Sequence, residues 1–126
     1  MNRLILCTVL AGCAVGCSAD PPPLAMAATP EGAKAAVVQA LDAWKGGAKQ
    51  ADLSARTPPV YLNDDDLVRG RTLTGYTIEG EPVTSGIGMR VEVTLTLDGG
   101  GKPPATRKIP YRVILTPNIS IAREDR

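Results

Sequence analysis

The chain has no histidine and no phenylalanine, and aromatic residues make up only 3% of its 126 positions. Without histidine, Ser-His and Cys-His nucleophilic systems are excluded, as are His-bearing zinc sites. Cysteine is nearly as scarce: Cys7, Cys13 and Cys17 are the whole set, and all stand in the first seventeen residues. The remainder of the chain therefore has no thiol for catalysis, metal or disulfide. Trp44, Tyr61, Tyr76 and Tyr111 are the only aromatics, so a core must be built from Val, Leu, Ile and Ala. Past residue 17 no apolar run approaches the roughly 20 residues that span a bilayer. A phosphate loop is also missing. Gly80, Gly86 and Gly88 lack the spacing, and Gly99-Gly100-Gly101 lacks the lysine and threonine that follow such a loop.

What is present at the start is an address. Arg3 and the terminal amine form a short positive region. Leu4-Ile5-Leu6-Cys7-Thr8-Val9-Leu10 is apolar, and small residues follow. That is the layout of an export signal. Leu10-Ala11-Gly12-Cys13 then resembles the lipobox of bacterial lipoproteins, an aliphatic residue and two small ones before a cysteine. The resemblance implies acylation of Cys13, with Cys17 in Ala14-Val15-Gly16-Cys17 as the alternative. A palmitate-bearing anchor of two or three chains, at about 0.8 kcal/mol per buried methylene, holds a protein to a membrane effectively permanently. An ordinary secreted protein, or a Cys13–Cys17 disulfide closing only a tiny loop, is the competing reading. Neither Ala14 nor Ser18 is the aspartate that retains such lipoproteins at an inner membrane, so an outer-membrane destination facing periplasm or exterior is expected.

Residues 1–17 are thus expected to be signal peptide and lipobox, 18–29 a Pro/Ala-rich tether around Pro21-Pro22-Pro23, and 30–126 a single domain. Loss of Arg3 with the leader leaves basic and acidic residues in balance. No Lys/Arg cluster offers the electrostatic footprint of a nucleic-acid partner.

Thr29 suits an N-cap, Pro30 a first helical position, and Glu31 the positive end of a helix dipole. Ala33, Val37, Leu41 and Trp44 recur at helical spacing, and Gly46-Gly47 offers a stop. Leu53 suits a short helical extension that Pro58-Pro59 would break. After Gly70 the period becomes two. Met89, Val91, Val93, Leu95 and Leu97 alternate with polar residues, as do Ile109, Tyr111, Val113 and Leu115. Pro110 cannot donate a ladder bond and is expected at an edge or a strand's beginning.

This predicts an α+β domain: one N-terminal amphipathic helix on a curved antiparallel sheet of three to four strands, with a small β-sandwich as the alternative. The element order resembles the cystatin-like architecture and the related ketosteroid-isomerase-like cones, although the Gln-Val-Gly loop of inhibitory cystatins is absent. The enzymatic cones carry extra helices and an acidic base that this shorter, histidine-free chain does not match.

Three carboxylates in Asn63-Asp64-Asp65-Asp66 could ligate calcium, but Val68 stands where the calcium loop needs glycine. The expectation is a solvated loop, with one Asp capping a helical turn through Leu67 to Arg69. Glu79 and Glu81 flank Gly80 in what reads as a hairpin connection between strands. No catalytic residue, metal or cofactor is expected. The function expected is a non-catalytic, lipid-anchored envelope module that binds a protein partner in the envelope. The alternative is a small-ligand binder using a cavity between helix and sheet near Trp44, Tyr76 and Tyr111.

Overall fold

A computed structural model describes residues 29–124. The leader, Cys13, Cys17 and the tether up to residue 28 lie outside the described residues. The order is α1 (Pro30–Lys45), α2 (Gln50–Ser54), β1 (Val60–Asn63), α3 (Asp65–Val68), β2 (Thr72–Ser85), β3 (Gly88–Asp98), β4 (Ala105–Ile114) and β5 (Ile119–Arg123). The protein is α+β, with one open mixed sheet in the order β1-β5-β4-β3-β2. The expectation of three or four antiparallel strands is corrected to five. The added strand is Val60–Asn63, at an edge of the sheet, and it runs parallel to β5.

The N-terminal helix forms for the reasons its sequence suggests. The Thr29 hydroxyl accepts from Gly32 N at 3.1 Å, Pro30 occupies the first turn, and Gly46 caps the end. Its buried stripe is Ala33, Ala36, Val37, Ala40, Leu41 and Trp44. This stripe lies on β2, β3 and β4, and the strands answer it by alternation. Met89, Val91, Val93, Leu95 and Leu97 are buried on β3, and Ile109, Tyr111 and Val113 on β4. Leu53 is buried from the separate short helix α2.

Departures from simple alternation have local causes. In β2 the register slips between Leu73 and Gly75, so Tyr76 and Ile78 join Leu73 on the core side. A second slip between Glu79 and Val83 accommodates Gly80-Glu81-Pro82. Glu79 and Glu81 therefore lie within β2, not in a connection; the turn comes later, at Gly86-Ile87. Such bulges break the regularity of an exposed edge. Gly99, Gly100 and Gly101 all have positive φ, a path that side chains rarely tolerate. The loop they form is tied down by buried Arg71, whose Nη2 donates to Pro103 O at 2.7 Å.

Pro110 does not lie in an edge strand, since β4 has β3 and β5 for neighbours. The position is nevertheless permissive. Pro110 O accepts from Glu124 N at 2.9 Å, and a strand residue's N and O point to the same side. The missing donor thus faces the flank where β5 has already ended at Arg123.

Helix α1 covers one face of the sheet and, among the described residues, no helix covers the other, the open face. Across the open face the register aligns Val83, Arg90, Arg112, Ala122 and Asn63 in one row. Among the described residues no helix is long and apolar enough to cross a membrane.

Candidate functional site

The parallel strands β1 and β5 end side by side, and the chain leaves β1 through Asn63 into α3. Here the sequence expectation is half met. Asp64 does cap α3: its Oδ1 accepts from Asp66 N at 2.8 Å and Leu67 N at 3.3 Å. Only half of the loop is solvated, however: Asn63 and Asp65 are exposed, whereas Asp64 and Asp66 are both 1% exposed. Burial of two carboxylates demands partners, and the sheet supplies them. Tyr111 pairs with Arg123, and Arg107 with Leu95, so all three project from the helix-bearing face. The Tyr111 hydroxyl donates to Asp64 Oδ2. Arg123 Nη1 donates to Asp66 Oδ2 at 2.7 Å and to Asp64 Oδ1 at 3.3 Å. Arg107 Nη1 lies 4.0 Å from Asp66 Oδ2. Burial, reinforced by the Asp64 charge, holds the Tyr111 phenol protonated far above its ordinary range.

Beside this network opens a cleft of about 460 Å³. Gln50, Asn63, Asp64, Asp65, Val68 and Arg123 are among its lining residues. Gln50 Nε2 braces the rim, donating to Leu62 O at 3.2 Å and Asn63 Oδ1 at 3.1 Å. The lining offers carboxylate, amide and guanidinium groups, suited to holding a small polar molecule. Asp64 and Asp66 are engaged internally as acceptors. Among the described residues, no group of three or more His, Cys, Asp or Glu is arranged to hold a metal.

No family model matches the chain. No curated protein and no solved structure matches it either.

The three residues proposed from sequence to line a ligand cavity are placed separately. Trp44 is 2% exposed, and its indole donates to Arg71 O at 2.9 Å. It lines a small cleft of about 130 Å³ with Gly47, Leu67 and Thr72. Tyr76 is half-buried on β2, and its hydroxyl donates to Asp42 Oδ1 at 2.6 Å. Partial desolvation, then that hydrogen bond, pushes its phenol up to about 12. Tyr111 is in the core. Neither tyrosine lines the larger or the smaller cleft.

Sequence reasoning missed Arg107 and Arg123, though a signal was there. Arg107 falls in phase with Ile109, Tyr111 and Val113, and Arg123 in phase with Ile119 and Ile121. A charge in the apolar phase of a strand needs a buried counter-charge. The aspartate run supplies it.

Proposed function

We propose that this is a lipid-anchored envelope protein, attached through Cys13, whose folded domain is a non-catalytic module for binding a protein partner. One observation carries the reading. The hairpin joining β2 and β3 exposes two large apolar side chains, Val83 at 64% and Ile87 at 74%, at the end of a fourteen-residue edge strand. Exposed apolar groups on an unpaired strand edge are the raw material of partner docking. The position of α1 on the antiparallel strands supports the cystatin-like reading of the element order. The test is cross-linked affinity purification from host membranes with the native chain and with Val83→Asp/Ile87→Asp. Recovery of one stoichiometric envelope protein by the native chain, lost in the double variant, supports the proposal. Equal recovery by both overturns it. The anchor is tested separately: Cys13→Ala should abolish incorporation of labelled palmitate, whereas loss only in Cys17→Ala moves the anchor to Cys17.

A second reading, capture of a small polar ligand, rests on the cleft lined by Gln50, Asn63 and Asp65 at the ends of β1 and β5. Isothermal titration with polar metabolite fractions tests it, with Asn63→Leu as the variant expected to lose binding.

A further inference from the structure

Helix α1 is tied to an edge of the sheet at two places. Lys34 Nζ donates to Glu81 Oε1 at 2.9 Å, and Asp42 Oδ1 accepts from the Tyr76 hydroxyl at 2.6 Å. Both partners are on β2, which among the described residues has a neighbouring strand on one side only. Residues four apart on a helix share a face, so Val38, midway between Lys34 and Asp42, stands on the flank of α1 that leans over this edge. Its side chain is apolar yet left 37% exposed. Between its two bulges β2 keeps one regular run along the same edge, Gly75–Glu79, in which Glu79 is the only charge.

The charges around Val38 are arranged symmetrically. Lys34 stands four residues before it and Asp42 four after; Glu31 stands seven before and Lys45 seven after. Steps of four and seven keep all five on one stripe of the helix. Glu31, Asp42 and Lys45 are exposed and Lys34 is half-exposed. Glu31 and Lys45 make no ion pair among the described residues. Consider a second copy of α1 laid antiparallel along this flank, with the two Val38 side chains in contact. Lys34 then meets Asp42 of the second copy, and Glu31 meets its Lys45. Laid parallel, the same flank would oppose like charges at every position. Lys34 can serve Glu81 and the new carboxylate together, since an ammonium has three donors.

We infer that the α1 flank centred on Val38, with the adjoining β2 edge, is the interface of a two-fold homodimer in which the two α1 helices run antiparallel. An isologous interface must be complementary to itself, and this flank is, in one direction only. It lies on the helix-bearing side of the sheet, whereas Val83 is on the open face and Ile87 in the turn. Dimerisation is therefore independent of the partner-binding reading.

The test uses the full chain in intact host cells, expressed as two differently tagged copies so that only homodimers score. Val38→Cys places a thiol on the symmetry axis, within disulfide reach of its counterpart, and mild oxidation should link the two copies. Gln39→Cys, exposed but about 100° further round the helix, should give only the background that the leader cysteines give in the unaltered chain. With Val38→Cys in place, Glu31→Lys turns two attractions into repulsions, and the dimer yield should fall roughly tenfold. Adding Lys45→Glu opposes the signs again and should return the yield. Equal yields from positions 38 and 39 overturn the interface. So does a yield that Glu31→Lys leaves unchanged, or one that Lys45→Glu does not recover. The comparison of positions 38 and 39 stands without the charge variants, should either of those fail to fold.

Discussion

Arg107 and Arg123 point toward the helix-bearing face of the sheet, and Arg90 and Arg112 toward the open one. The first pair meets Asp64 and Asp66, with Tyr111 completing the set. The second pair meets no matching set of carboxylates. In that cluster buried Asp64 and Asp66 meet buried Arg123 and the exposed Arg107, and the buried charges have internal uses: Asp64 caps α3, and Arg123 ties β5 to that cap. On the open face Arg90 and Arg112 stand opposite each other in register, and of the two only Arg90 has a carboxylate neighbour among the described residues, Glu92 at 3.9 Å. Burial alone does not mark a charge as structural; the balance of its surroundings does.

That contrast predicts substitutions of opposite sign. The largest effect should come from Asp64→Ala. It removes the α3 cap and leaves Tyr111 and Arg123 short of an acceptor, so a loss of about 3–5 kcal/mol is expected in urea unfolding. A loss below about 1 kcal/mol would mean that the cluster relaxes into water. Tyr111→Phe should cost about 2 kcal/mol, the usual effect of taking one hydrogen bond from a buried carboxylate. Its folded secondary structure should be retained by circular dichroism.

Alkaline unfolding gives the next effect. The Tyr76 phenol titrates near 10 in the unfolded chain and near 12 in the folded one. Its contribution is complete below pH 10 and lost as pH rises toward 12, because the unfolded state releases its proton first. Tyr111 acts in the same direction at higher pH. Denaturation midpoints measured from pH 9 to 12 should fall more steeply for the native chain than for Tyr76→Phe. The smallest effect, and the one of opposite sign, is expected from Arg90→Thr. Removing the opposed charge should raise stability in low salt by a few tenths of a kcal/mol, up to about 1 kcal/mol. A loss instead would show that Arg90 contributes to the fold.

Much of the architecture was legible locally. Thr29, Pro30 and Gly46 mark the boundaries of α1, and the alternation from Met89 to Leu97 fixes the faces of β3. Local signals mislead where partners are distant. Asp64-Asp65-Asp66 resembles a wet loop because its counter-groups, Tyr111 and Arg123, lie 47 and 59 residues away. Val60–Asn63 is too short to show a period, and only pairing with Ile119–Ala122 makes it a strand. Trp44 and Tyr111 look available for a ligand in the sequence because aromatic type carries no information about which hydrogen bond uses the polar end. In both cases that bond is internal.

The parallel seating of β5 has a consequence for the order of assembly. A chain emerging N-terminus first delivers α1, β1 and the β2–β4 meander before the strand that joins β1 to the rest. Until residues 119–123 arrive, β1 has no strand partner, and Asp64 and Asp66 have no Arg123. The β1–β5 seam therefore cannot form before the last strand is free. Whatever machinery delivers the chain, the seam between β1 and β5 is completed by the last strand to leave it.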